Sequence, residues 1–143
     1  LSVLLGIPPA AGFVDASASF LIGITTPLVC YFFVSYVKAK LGYDDTLDAF
    51  GCHGAGGVWG ALMTGVFCTK AVNPAGADGL LYGNPAQMIP QITGIVTGII
   101  VAVVMTVLIL KILGAFMQIR ATASEEAQGL DLIDHGERAY FKL

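Results

Sequence analysis

Four apolar blocks, separated by short polar or glycine-rich stretches, organise this chain. The first, residues 1–7, ends at a proline pair and predicts the last turns of a helix. The second, residues 17–37, carries no charge and is long enough as a helix to cross about 30 Å of hydrocarbon. Further spans are predicted at about 48–69 and 88–117, the last longer than a bilayer requires. The pattern predicts an all-α, polytopic membrane helix bundle.

A change in composition divides the chain near residue 119. Residues 1–119 hold the predicted membrane helices, and residues 120–143 carry three basic and five acidic side chains. The second part is therefore predicted to be a short tail outside the membrane. Within the 17–37 span, Pro27 is expected to kink the helix, and Thr25 and Thr26 are expected to satisfy the carbonyl groups that it frees.

The composition excludes several classes of protein. Hydrophobic residues make up 56% of the chain, charged residues make up 12%, and the mean hydropathy is +0.80, which a soluble domain of 143 residues cannot accommodate. The net charge of −3 argues against a nucleic-acid partner. The three cysteines form no disulfide framework. Because the chain opens at Leu1 inside an apolar run, we expect it to be a fragment whose upstream part is missing.

Basic residues predict the orientation of the helices. Lys38 and Lys40 lie between the first two full spans, and Lys111 and Arg120 lie at the end of the last one. The positive-inside rule places these positions, and with them the C-terminus, in the cytosol. The loop at 70–87 is then expected on the outer side.

His53 is the histidine of the apolar part of the chain, and it lies in a glycine-rich stretch. An ionisable side chain at membrane depth costs a few kcal/mol or more, and it usually lines the route of a polar solute. An interhelical hydrogen bond that fixes packing and a metal site are the alternatives. A metal site is disfavoured, because no second ligand stands three or four residues away and Cys52 points elsewhere on a helix.

Acidic residues mark the start of the histidine helix. Asp44 and Asp45 precede it and are expected to cap its free N–H groups at the cytosolic face. Asp48 is expected in its first turn, still near the membrane surface.

Small residues are predicted to share the face of the histidine. At about 100° per residue, Ala49, Gly57 and Gly60 lie near His53, whereas Trp59 projects away and is expected to pack against another helix. Close approach of a neighbouring helix is expected at three glycines, Gly56, Gly57 and Gly60. A second pair with the same spacing, Gly94 and Gly98, occurs in the last span.

Three segments resemble the ammonium transporter family, in its Amt/Mep branch. Residues 44–60 read DDTLDAFGCHGAGGVWG and resemble the tenth membrane helix of the family. Residues 8–14 read PPAAGFV and resemble the segment after its eighth helix. Residues 129–140 read GLDLIDHGERAY and resemble its C-terminal signature. The three segments occur in the family's order, so the resemblance covers essentially the whole chain.

The resemblance implies a fold and a function. Members have eleven helices built from inverted repeats, and this chain corresponds to the end of the eighth helix, the last three helices and the tail. They pass ammonium or ammonia through a narrow hydrophobic pore in each subunit of a homotrimer, without acting as enzymes and with no cofactor or metal implied. His53 matches one of two central histidines. Ala49 matches a pore-lining position that is usually held by valine.

The resemblance also implies a location and partners. The protein is expected in the plasma membrane, surrounded by lipid, with its tail in the cytosol. In prokaryotic members a PII-type signalling protein docks on that cytosolic face. The regulatory tail signature is matched at five positions, Gly129, Asp131, His135, Gly136 and Tyr140.

Three rival functions remain open from the sequence. The same pore is compatible with an ammonium sensor that reports to a signalling partner and conducts little. A membrane enzyme that uses His53 would require a facing carboxylate or nucleophile, which these helices do not supply. A structural fragment without activity is the third, since these residues alone form no closed pore.

Overall fold

The structure is a computed structural model that describes residues 2–137. All regular structure in this part of the chain is helical, and the prediction of an all-α fold is confirmed. Short 3₁₀ turns at Pro8–Ala10, Leu80–Tyr82 and Pro85–Gln87 lie between the helices. The helices are α1 (Ser2–Gly6), α2 (Ala16–Leu41), α3 (50–67), α4 (Met88–Phe116), α5 (Ala123–Gln128) and α6 (Leu130–His135).

Two of the helices contain a π-helical segment. In α2, the α-helix Ala16–Phe32 is followed by a π-helical segment, Phe33–Val37, and by a last α-helical turn, Lys38–Leu41. Helix α3 begins with a π-helical segment, Phe50–Ala55, and continues as the α-helix Gly56–Phe67. Such segments are rare in proteins, and those that occur often lie at functional sites.

The chain forms two compact units, the first ending at Ile99 and the second beginning at Ile100. In the first unit, α1, α2 and α3 pack against one another. The core of this unit consists of Ala10, Val14, Ala18 and Ile22, with Ile7, Met63 and Phe67 packed around them. The small size of most of the buried side chains lets the helix backbones approach closely.

Pro27 lies inside the regular part of α2 and removes the hydrogen bond that would reach the carbonyl of Gly23. The hydroxyl of Thr26 donates to the carbonyl of Ile22 at 2.7 Å, and that of Thr25 donates to the carbonyl of Leu21 at 2.9 Å. The two hydroxyls therefore bind the carbonyls of Ile22 and Leu21, and neither binds the freed carbonyl of Gly23. The expectation for Thr25 and Thr26 is wrong in this detail, because the threonine side chains reach back by four residues.

The loop between α3 and α4 is hydrogen-bonded to the start of α2. The Asp15 carboxylate caps α2 by accepting the N–H of Ala18 at 2.8 Å, and its other oxygen accepts the Tyr82 hydroxyl at 3.1 Å. These two bonds lower the pKa of Asp15, that of Ala18 contributing most, and the bond to Asp15 raises the pKa of Tyr82. Inside the loop, the Asp78 carboxylate accepts the Thr69 hydroxyl and the Lys70 N–H.

The second unit contains the end of α4 and the tail. Most of the α4 side chains in this unit are apolar and exposed, as at Val104 and Leu108, which suits a surface against lipid. A capping box between Thr122 and Glu125 begins α5. Helix α6 ends at His135 and is followed by Gly136, whose φ of 67° is left-handed.

The tail signature falls partly inside the described residues. Gly129, with a φ of 97°, joins α5 to α6, where backbone of this kind favours glycine. The carbonyl of Asp131, in the first turn of α6, accepts the N–H of Glu137, and His135 is the last residue of α6. Tyr140 lies outside the described residues.

Among the residues that the structure describes, two helices are long and apolar enough to cross a membrane. They are Ala16–Leu41, with 26 residues, and Pro85–Phe116, with 32 residues. The first continues beyond the predicted end at residue 37. The predicted span at 48–69 contains α3, which begins two residues later and ends two residues earlier. The division into a membrane part and a cytosolic tail stays a prediction.

We predict that Tyr82→Phe lowers the midpoint of thermal unfolding of the full-length protein at neutral pH, because the bond to Asp15 is lost. Because folding lowers the pKa of Asp15, that group stabilises the fold at pH values above its pKa in the unfolded chain. Because folding raises the pKa of Tyr82, that group stabilises the fold at pH values below its pKa in the unfolded chain. The difference from wild type therefore shrinks as the pH falls below about 4 or rises above about 10.

Tyr36→Phe is the matched control for Tyr82→Phe, because the Tyr36 ring stacks on Phe32 and phenylalanine retains that stacking. Unfolding can be followed by fluorescence-detected size-exclusion chromatography after heating. Equal midpoints for Tyr82→Phe and wild type over the whole pH range would contradict the fastening of this loop to α2.

Candidate functional site

His53 lies in the π-helical segment at the start of α3, and its side chain is exposed. Ala49, directly before this segment, is exposed as well. Three cavities between the described residues are lined by other side chains. The imidazole is therefore not buried by the described residues, and a group from beyond this part of the chain can contact it.

The π-helical segment changes which residues share the face of the histidine. A π-helical turn holds more residues than an α-helical turn, so angles taken at about 100° per residue apply only from Gly56 onward. Gly60 was expected beside His53, but it is buried against α1 while His53 is exposed. Gly57 has open space at its Cβ position, with no atom within 4 Å in the described structure. Small residues therefore border the histidine at Ala49 and Gly57.

Two of the three predicted packing glycines make close contacts. A Cβ at Gly60 would overlap the backbone carbonyl of Gly6, and a Cβ at Gly56 would lie 3.0 Å from the Cys30 sulfur. At Gly57, on the other side of α3, no described atom lies within 4 Å of the Cβ position, so close packing there stays a prediction. Gly94 and Gly98 likewise have no described atom within 4 Å of their Cβ positions.

The connection before α3 is fixed by charged side chains. The Asp45 carboxylate accepts the N–H groups of Ala49 and Phe50, both at 2.9 Å, and so caps the helix. Asp48 lies before the π-helical segment rather than in its first turn, with a left-handed φ of 55°. Its carboxylate binds the Lys38 ammonium at 2.6 Å, and the same ammonium donates to the Asp45 carbonyl at 2.5 Å.

Sequence reasoning missed the pairing of Lys38 with Asp48. The sequence feature that could have predicted this salt bridge is a pair of opposite charges at the two ends of a short connection between helices. The Lys38 and Asp48 side chains are 29% and 34% exposed, so their salt bridge is partly shielded from solvent. Asp44, in the same connection, is exposed.

An apolar groove of about 450 Å³ lies beside the histidine segment. The Trp59 indole N–H donates to the Thr25 hydroxyl at 3.0 Å, which holds the ring against α2. This position agrees with the expectation that Trp59 packs away from His53. The groove is lined by Val29, Phe33, Phe50, Gly54, Ala55, Val58, Trp59, Leu62 and Ile99.

The described residues offer limited chemistry around His53. They contain no group of three or more metal-ligating side chains. Cys30 and Cys52 are free thiols near one cavity, where the Cys30 thiol lies 3.7 Å from the carbonyl oxygen of Cys52. An exposed imidazole on an apolar helix can donate a hydrogen bond from one ring nitrogen and accept one at the other. Proton or solute transfer is therefore the chemistry that this surface suits.

Comparison with known sequences gives one family. Residues 1–140 match the Ammonium Transporter Family. An ammonium transporter of Bacillus subtilis is 50% identical over 137 residues, which cover 96% of this chain and 34% of that protein. One of Aquifex aeolicus is 46% identical over 137 residues, with 96% of this chain and 32% of that protein covered.

Solved structures give the same fold. The crystal structure of Saccharomyces cerevisiae Mep2 aligns with a TM-score of 0.77 at 32% identity, over 86% of this chain and 29% of that one. Candida albicans Mep2 aligns with a TM-score of 0.76 at 32% identity, over 87% of this chain and 28% of that one. This chain thus spans about a third of the length of the relatives it matches.

The comparisons bear on two of the sequence expectations. The matched relatives are named as transporters, which confirms that the chain does not belong to an enzyme family. Together with the Mep2 structures, they indicate an integral membrane protein.

We predict that Gly60→Ala destabilises the full-length protein by about 1–3 kcal/mol, because the added methyl group meets the backbone of Gly6 and a backbone cannot yield as a flexible side chain does. Gly94→Ala is the control, since open space surrounds its Cβ position in the described structure. The measurement is the thermal unfolding midpoint in detergent. Equal losses in the two variants would contradict the contact between α3 and α1.

Proposed function

The chain belongs to the ammonium transporter family, and on this basis we propose that the protein carries ammonium or ammonia across a membrane. The family match and the names of the relatives support this proposal. Since the chain spans about a third of those relatives, the pore is proposed to form only in a longer protein whose C-terminal third these residues provide.

We assign to His53 the role of one of two histidines at the centre of that pore. The observation that carries this assignment is an exposed imidazole between two small positions, Ala49 and Gly57, on an otherwise apolar helix. A bare ammonium ion would lose its hydration in an apolar pore at prohibitive cost, unless it gives up a proton or finds polar partners. An imidazole supplies both, because it accepts a proton or a hydrogen bond near neutral pH.

Ala49 is proposed to line the same route on the side of the 42–48 connection. Its side chain is exposed directly before the segment that carries His53. A methyl group leaves more room than the valine usual in the family, so the pore is proposed to be slightly wider at this level.

The location and assembly of the protein are also proposed. We place it in the plasma membrane with Lys38 and Lys40 at the cytosolic side and the tail in the cytosol. The family resemblance supports a homotrimer and a PII-type partner at that face. Helices α5 and α6 and the left-handed Gly136 give the described part of the tail a defined local structure.

We predict that His53→Ala sharply reduces the ammonium-driven current of the full-length protein in liposomes, because the proton acceptor of the pore is lost. Cys52→Ser is the matched control, since the neighbouring Cys52 lines a different cavity and its replacement leaves the imidazole in place. The current is measured by solid-supported membrane electrophysiology. Size-exclusion profiles of both variants verify that the protein remains assembled.

Each outcome of the His53→Ala experiment decides between functions. Intact current in an assembled variant would remove His53 from the transport route. Loss of assembly together with current would instead assign His53 to helix packing. Wild-type protein that binds ammonium without conducting it would contradict transport and favour the sensor.

We predict that Ala49→Val discriminates more strongly against methylammonium than wild type does, because two added methyl groups narrow the route. Ammonium current should change little, whereas methylammonium uptake should fall several-fold. The ratio of the two rates is the measured quantity. An unchanged ratio would contradict the assignment of Ala49 to the route.

A further inference from the structure

The Lys38 ammonium makes two polar contacts with the connection between α2 and α3. Lys38, in the last turn of α2, binds the Asp48 carboxylate at 2.6 Å and the Asp45 carbonyl at 2.5 Å. Asp48 adopts a left-handed backbone conformation, with a φ of 55°, that non-glycine residues adopt infrequently. Such a conformation persists where its surroundings determine it, and here the salt bridge to Lys38 is the contact that holds the side chain.

The same connection determines where α3 begins. The Asp45 carboxylate binds the N–H groups of Ala49 and Phe50. The Asp48 carbonyl accepts the N–H of Cys52 at 2.9 Å. Asp48 is therefore linked through its side chain to α2 and through its backbone to the residue directly before His53.

Helix α2 holds the π-helical segment from its other side. A Cβ at Gly51 would lie 2.6 Å from the Val34 side chain, so the two π-helical segments are in close contact. The Phe50 ring packs edge-on against Phe33, with the ring centroids 6.2 Å apart, and against Tyr43 at 5.7 Å. The segment is thus fixed between these packing contacts and the connection that Lys38 binds.

The direction of His53 depends on this segment remaining π-helical. Its conversion to an α-helix would shift one residue in register and turn the residues before Phe50 by about 100° relative to those after Gly56, and the residues within the segment by less. The exposed imidazole would then turn toward the side of Gly60, which packs against α1. A group that fixes the start of the segment therefore also fixes the side on which the imidazole lies.

We propose that Lys38 is a positioning residue for His53, acting through Asp45 and Asp48 on the π-helical segment. This inference rests on the proposed function of His53 in transport. Lys38 acts without touching the transported species.

Cys52 offers a direct report on the orientation of the segment. Its side chain is half-buried beside a cavity, and a rotation of the segment changes its exposure. The experiment uses the full-length protein with Cys52 as its only cysteine and measures the rate of alkylation by N-ethylmaleimide. The ammonium-driven current of the same preparations is measured in liposomes.

Lys38→Met should change the alkylation rate several-fold and lower the current, because the salt bridge is lost. Lys38→Arg should retain both, since a guanidinium can bind the same two oxygens. Lys40→Met is the matched control, because it removes an equal charge from the same helical turn; Lys40 lies over the Tyr36 ring, with its nitrogen 5.8 Å from the ring centroid. It should leave both quantities unchanged.

Asp48→Asn is the second variant, and it is decisive if Lys38→Met fails to assemble. Asparagine tolerates the left-handed conformation, so the backbone is retained while the salt bridge is lost. It should reproduce the changed alkylation and the lowered current.

An alkylation rate equal to wild type in an assembled Asp48→Asn or Lys38→Met variant would overturn the proposal. So would a changed rate with a wild-type current. Because alkylation does not require conduction, it tests the role of Lys38 even if the wild-type protein carries no ammonium. That last result would contradict the proposed function alone.

Discussion

The close approach of α3 to α1 and α2 is the contact on which the rest of the first unit depends. It is made at Gly60, whose missing side chain leaves room for the backbone of Gly6, and at Gly56, which faces the Cys30 sulfur. Between membrane helices, association relies on packing of this kind, because lipid removes the hydrophobic drive that operates in water. One side of α3 is therefore buried against α1 and α2, and the exposed His53 does not lie on that side.

Because α3 begins with a π-helical segment, it can pack closely at Gly60 while the His53 side chain stays exposed. If α3 were α-helical throughout, His53 would lie close to the direction of Gly60 and would face the packed side. The additional residue in the π-helical turn carries His53 away from it, while Gly57 remains beside open space. The same segment contacts the π-helical part of α2 at Val34, so the two irregular segments support one another.

Much of the fold was predictable from local pattern, and the exceptions have physical causes. Apolar length located α2 and α4, and the acidic residue Asp45 behaves as a helix cap because its short carboxylate reaches free N–H groups. Helical angles failed for Gly60, since they assume an α-helix where the chain is π-helical. The left-handed backbone of Asp48 had no local signal, and its salt bridge with Lys38 joins residues ten positions apart, beyond the reach of helical periodicity. The partner of His53 lies outside this chain in the proposed pore and could be inferred only by resemblance.

The measurement that tests this account most directly is a cryo-electron microscopy structure of the full-length protein in lipid nanodiscs. In that structure we expect the His53 imidazole to face a narrow pore and to lie within about 3 Å of a second histidine. We also expect the segment Phe50–Ala55 to remain π-helical and Gly60 to contact Gly6. An imidazole that faces lipid, or one enclosed by apolar side chains away from any pore, would contradict it.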